Sequence, residues 1–287
     1  MNSLNHKSQN NFHNDALAVL KQTSRTFYIP TVLLPSELQE AVMSAYLCMR
    51  AIDEIEDHSQ LDNATKSLLL RRVSETLQEG TDQFYPGAFS ELKLYQNVLP
   101  EVTLRIQEWA LLAPKRIWPR IWDTTAAMAD RMAYWADRNW TINTEADLNR
   151  YTFSVAGAVG LLLSELWSWY DNTQTNRIQA IGFGRGLQAV NILRNHGEDL
   201  TRGVDFFPRD WDQAHMLTYA RGNLALADAY TDALPQGPAL DFCSIPLALA
   251  HATLDALSQG QAKLSRTDVM AILEEIAHQK RIITATV

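Results

Sequence analysis

Apolar side chains along this chain recur three and four positions apart, and no alternating apolar–polar run exceeds four residues. That is the period of amphipathic helices rather than of half-buried strands. A polar tail covers residues 1–14, and a first helix is expected from about Asp15 to Gln22. Thr23 to Pro35 reads as a break, because Pro30 and Pro35 fix their φ angles. Ser36 then opens a long helix to about His58, as its N-cap, with Glu37 and Glu40 facing the positive end of the helix dipole. Further helical patterns cover Ala64–Glu79, Phe89–Val98, Glu101–Leu112, Trp118–Ala136, Glu145–Tyr170, Thr175–Asn195 and Asp210–Ala233, with more after Asp241. No repeat and no Ser/Gly/Pro-rich linker divides the chain. The expectation is an all-α protein of roughly ten helices, a single domain over 15–287.

Composition narrows the class. With 46% hydrophobic and 20% charged residues in 287, the chain can fill a core, which excludes wholesale disorder. A net charge of −8 argues against a nucleic-acid binder. A polyanionic ligand must therefore be met locally, by placed cations or by metal ions held on carboxylates. Two cysteines, Cys48 and Cys243, make no disulfide framework and fit a reducing cytoplasm. Residues 1–14 lack the apolar core of a signal peptide. The longest uncharged apolar stretch, Tyr151–Ser164, is 14 residues with two glycines, short of the ~20 a bilayer needs. No transmembrane segment is expected, and peripheral membrane contact stays compatible with this.

Two polar clusters carry the candidate chemistry. Asp53, Glu56 and Asp57 stand at i, i+3 and i+4 late in the long helix, with Arg50 one turn earlier. Apolar neighbours such as Leu47, Ala51 and Ile52 imply burial, and buried like charges need a counterion. Mg²⁺ suits, since it takes one or two carboxylates and keeps sites for water and phosphate; a solvated acidic helix end is the competing reading. The second cluster is Gln188, Asn191, Asn195 and Glu198 or Asp199, a polar stripe through an otherwise apolar helix. It reads either as a ligand site or as a polar network between helices. Gly182-Phe-Gly184-Arg-Gly186 has no strand before it and lacks the phosphate-loop spacing, so it reads as close helix packing. Trp118 and Trp122, like Met128 and Met132, are i, i+4 pairs of the kind that fill cores.

Four ordered segments resemble the squalene/phytoene synthase family: Ser24-Arg25-Thr26-Phe27; Tyr46 to Asp57 with Arg50; Tyr151-Thr-Phe-Ser154 to Gly160; and Leu187 to Asp199 with Arg194. The resemblance runs from about residue 15 to 270. It implies an all-α isoprenoid-synthase bundle with a central apolar cavity, and acid-rich motifs facing each other across its mouth. It also implies Mg²⁺, with Mn²⁺ as a substitute, and a prenyl diphosphate substrate, farnesyl or geranylgeranyl, ionised and coupled head to head with a second. By resemblance Asp53, Glu56, Asp57, Asn191, Asn195, Glu198 and Asp199 are the metal set. Ser24, Arg25, Phe27, Arg50, Gln188, Asn191 and Arg194 bind substrate, and Tyr46 and Ser154 join Asp53, Asp57 and Asp199 as catalytic residues. NADPH reduction marks only part of the family, and no nicotinamide pattern is present here.

Four positions depart from the family. Asn195 stands where it usually has Asp, Ser154 where it has Tyr, Val204 where it has Arg, and Phe206 where it has Tyr. They favour an alternative in which a single prenyl diphosphate is ionised, then cyclised, quenched by water or passed to another acceptor. A catalytically weak assembly subunit is the third reading, opposed by the intact Asp53, Asp57 and Asp199. Chain length, acceptor and oligomeric state depend on side chains that the pattern does not place.

Overall fold

The computed structural model describes residues 2–81, 84–261, 263–265 and 267–276, with the side chains of residues 2–10 and 25 left aside. The last eleven residues of the expected domain, 277–287, lie outside the described residues. All regular structure among the described residues is helical. Its α-helices run from α1 (Asn2–Thr23) to α13 (Pro238–Ser258), and residues 267–276 are helical too. They fall into two compact units: residues 1–141 with 162–172, and residues 142–161 with 173–287.

The first unit holds α1, α2 (Arg25–Val32), α3 (Ser36–Glu56), α4 (Asn63–Gln78), α5 (Ser90–Lys93), α6 (Glu101–Leu104), α7 (Ile106–Ala110) and α8 (Trp118–Asp137). The polar tail is not separate: α1 starts at Asn2, since neither Gly nor Pro interrupts it, and Phe12 stacks on Trp109 with ring centroids 6.0 Å apart. The expected break after Thr23 is mostly helix. Ser24 caps α2 by accepting a hydrogen bond from the Phe27 amide at 3.1 Å, and Pro30 is carried inside the helix. Ser36 is the first residue of α3, and Pro35 holds the cap position without a side-chain bond. Serine and threonine hydroxyls tie α3 and α4 to their neighbours. Ser44 donates to the Trp109 carbonyl at 2.7 Å, Thr103 to that of Ala51 at 2.9 Å, and Ser74 to that of Ala126 at 2.9 Å. Trp118, Trp122, Met128 and Met132 are buried, as their spacing predicts.

The second unit is built on α11 (Arg177–Thr201), packed against α9 (Glu145–Thr152), α12 (Gln213–Asp232) and α13. The single helix expected over Glu145–Tyr170 is interrupted. Residues Phe153–Gly157 form a π-helical turn, after which α10 (Ala158–Asp171) continues. α11 runs through Gly197 to Thr201, beyond the end predicted near Asn195. The Gly182–Gly186 segment is a packing surface. A β-carbon at Gly184 would lie 2.0 Å from the Ala156 carbonyl oxygen, and one at Gly182 would lie 2.3 Å from Leu226 Cβ. α13 is long and apolar enough to cross a membrane by length and composition, with 61% of its apolar window buried in the protein. Asp241 and Asp255 interrupt its run, which is why a search for uncharged stretches passes over it.

Candidate active site

The first cluster lies where α3 ends. Arg50 and Asp53 are half-buried, Glu56 is buried and Asp57 is the exposed C-cap residue. Burial, then the neighbouring Asp57 charge, push the Asp53 carboxyl up to about 7 against the pull of Arg50. Burial works against the Arg50 charge, but Glu54 and Asp53 outweigh it and raise its pKa. Arg50 is ion-paired with Glu54, and its buried Nε has no hydrogen-bond partner. Upstream, Tyr46 packs against Phe27 at 5.9 Å. Burial raises its phenol, partly offset by the Thr23 and Ser24 hydroxyls. Ser24 and Phe27 meet Tyr46, and Tyr46, Arg50, Asp53 and Asp57 follow one another along the end of α3. The Arg25 side chain lies outside the described residues.

Glu56 has other work. Its carboxylate accepts a hydrogen bond from Trp140 Nε1 at 2.7 Å, and Lys66 lies over the same indole at 5.0 Å. Spacing along α3 groups Glu56 with Asp53 and Asp57, yet the structure turns it into a buried network. We therefore leave it out of the metal set. Burial and the Asp57 charge push its pKa up to about 8. Native Asp53 and Glu56 thus hold protons that the unfolded chain releases near pH 4, so stability falls as pH rises. In metal-free buffer the melting temperature should drop by several degrees between pH 5 and pH 8. Glu56→Gln, which keeps an acceptor for Trp140, should flatten that slope.

The second cluster lies at the end of α11, in the other unit. Gln188, Asn191 and Asn195 are half-buried, Arg194 and Glu198 exposed, and Asp199 buried. Three of the four expected metal donors on this helix, Asn195, Glu198 and Asp199, meet a cation. Arg194 Nε donates to Asn195 Oδ1 at 3.1 Å, Lys263 Nζ lies 3.0 Å from Glu198 Oε1, and Arg202 is ion-paired with Asp199. Lys263 holds the Glu198 carboxyl below the usual range. His196 stacks on Phe207 at 3.9 Å and meets Asp205 at 3.3 Å. Phe206 stacks on Tyr151 at 4.6 Å.

Ser154, expected among the catalytic groups, is buried in the π-turn, and its hydroxyl donates to the Arg150 carbonyl at 2.7 Å. That back-bond shapes its own helix, so no proton chemistry is assigned to it. Among the described residues no three His, Cys, Asp or Glu side chains converge as a metal cage. Asp53 and Asp57 nonetheless fit Mg²⁺, which binds through one or two carboxylates with phosphate and water completing the shell. The donor set of the second cluster fits it poorly, being already matched by cations. Sequence reasoning missed Trp140, Lys66 and Lys263, for which no local pattern exists. Arg202 was open to it, at i+3 from Asp199.

A helical chain with an acid-rich motif near the end of α3 and a polar one near the end of α11 belongs to a recognisable class. The family model for squalene/phytoene synthase matches residues 20–218, and the chain belongs to that family. It is 32% identical over 228 residues to the squalene synthase of Schizosaccharomyces pombe, covering 75% of this chain and 48% of that protein. To human squalene synthase it is 28% identical over 197 residues, covering 67% and 45%. The chain thus spans about half the length of the curated relatives it matches. A solved structure of TcSQS with the ligand E5700 superposes with a TM-score of 0.75 at 23% identity, covering 92% of this chain and 85% of that one. A dehydrosqualene synthase in complex with a ligand gives 0.66 at 18%, covering 96% and 98%. These likenesses establish the fold, an all-α fold of the isoprenoid synthase type.

Proposed function

We propose that the protein is a Mg²⁺-dependent prenyltransferase that ionises an allylic prenyl diphosphate, farnesyl or geranylgeranyl, and couples it head to head with a second. Family membership supports the reaction class. The observation that carries the reading is the first cluster: Asp53 and Asp57 crowded at one helix end, beside a guanidinium whose buried Nε lacks a partner. Such a place crowds negative charge, and leaves one nitrogen of a guanidinium already paired with Glu54 still open to an acceptor. Asp53 and Asp57 would hold Mg²⁺, which when bound neutralises the diphosphate and makes it a better leaving group. Arg50 offers its fork to phosphate oxygens. Tyr46, hydrogen-bonded to the Ser24 hydroxyl, lies within reach of the Arg50 charge.

A second reading keeps the ionisation and drops the coupling. Two positions where the family usually has a phenol carry none here: Ser154 spends its hydroxyl on Arg150, and Phe206 spends its ring on Tyr151. Incubation with Mg²⁺ and each diphosphate in turn, with and without NADPH, separates the two. Pyrophosphate with a C30 or C40 hydrocarbon is the expected result. Pyrophosphate with a C15 or C20 product would favour the single-substrate reaction, and no pyrophosphate from either would sink both.

A further inference from the structure

The two clusters differ in charge. At the end of α3, Asp53, Glu54, Glu56 and Asp57 outnumber the nearby Arg50 and Lys66. At the end of α11, Lys263 meets Glu198 and Arg202 meets Asp199, while Asp205 meets His196; Arg194 and Arg202 also act on the Glu198 charge. The neutral Asn195 stands among them, its carbonyl oxygen taken by Arg194. A divalent ion entering here would have to displace an ammonium from Glu198 and a guanidinium from Asp199. It would find one carboxylate fewer than the family pattern supplies. A phosphate faces a different situation. The Lys263–Glu198 pair is exposed, with relative accessibilities of 63% and 69%, and exposed ion pairs are weak. Its ammonium is free to turn to a stronger anion.

We infer that Lys263 is an anion-binding residue of the second cluster, and that Lys263, Arg202 and Arg194 hold diphosphate directly, without a divalent ion on Glu198. The inference rests on the diphosphate reading proposed above. Glu198 then serves as the counterion that parks Lys263, rather than as a metal ligand. Asn195 suits that arrangement, because an aspartate there would add a negative charge beside the arriving phosphates.

Calorimetric titration of the full chain with inorganic pyrophosphate, in EDTA and in Mg²⁺, tests it. Binding is expected in EDTA, weakened about tenfold by Lys263→Ala and recovered by Lys263→Arg. Glu198→Gln should tighten binding in EDTA and leave the added gain from Mg²⁺ in place. Both substituted positions are exposed, so the variants should fold. Binding in EDTA that Lys263→Ala leaves unchanged would overturn the inference. So would binding seen only with Mg²⁺ and lost in Glu198→Gln, which would make Glu198 a metal ligand and leave the prenyltransferase reading standing. No pyrophosphate binding under either condition would overturn that reading and this inference with it.

Discussion

Asp53→Asn is expected to lower pyrophosphate release from the prenyl diphosphate by about a hundredfold to a thousandfold or more, while leaving the protein folded. The size follows from the role assigned to the carboxylate. Removing one preorganised electrostatic partner of a developing charge typically costs that much, and asparagine offers only a weak neutral oxygen to Mg²⁺. The retained fold follows from the environment. Asp53 sits half-buried beside Asp57, and both burial and that neighbour oppose its charge. Without a divalent ion the native state gains little from an ionised Asp53, so the near-isosteric amide should keep the melting temperature at pH 8 or raise it. The combination is the test. A structural acid would lose stability and activity together, whereas an acid kept for a cation loses activity alone. Asp57→Asn should behave alike, with a smaller stability change because Asp57 is exposed. Activity undiminished in Asp53→Asn would remove the first cluster from the mechanism.

How far the sequence reached depends on how local each signal was. Helical period and the order of the motifs placed Tyr46, Arg50, Asp53 and Asp57 on one helix, because i, i+3 and i+4 neighbours share a face whatever surrounds them. The same rule misled for Glu56. It shares the stripe, but its carboxylate goes to Trp140, 84 positions along the chain, and no spacing on α3 encodes that partner. Lys263 is the reverse case, a cation 65 positions from the acid it meets, invisible until the chain is folded. Helix ends were harder than helices. The prolines of Thr23–Pro35 predict a break, yet Ser24 caps a helix that tolerates Pro30. The π-turn at Phe153–Gly157, which packs against α11, has no compositional mark.

The glycines of that packing carry the largest stability effect. Gly184→Ala should destabilise the protein by about 3 kcal/mol or more, and much of the variant should be recovered insoluble. The added methyl would lie 2.0 Å from the Ala156 carbonyl oxygen and 2.6 Å from its carbon. These are backbone atoms of the π-turn, so no side chain can swing aside and one whole helix must move. Gly160→Ala meets the same obstacle at the Ala180 carbonyl oxygen, also 2.0 Å away. The contact is thus made from both directions, by Gly184 toward the turn and by Gly160 toward α11. Helix propensity pulls the other way, since alanine in a helix interior is favoured over glycine by up to about 1 kcal/mol. Gly222→Ala isolates that term: it lies in α12 with nothing within 4 Å of a β-carbon. It should stabilise by about 0.5 kcal/mol. Urea unfolding of Gly222→Ala against wild type, and of whatever Gly184→Ala is soluble, reads both signs on one scale. Gly184→Ala as stable as Gly222→Ala would mean that α11 and the π-turn do not approach at backbone contact. The Gly-Phe-Gly-Arg-Gly segment would then need another explanation.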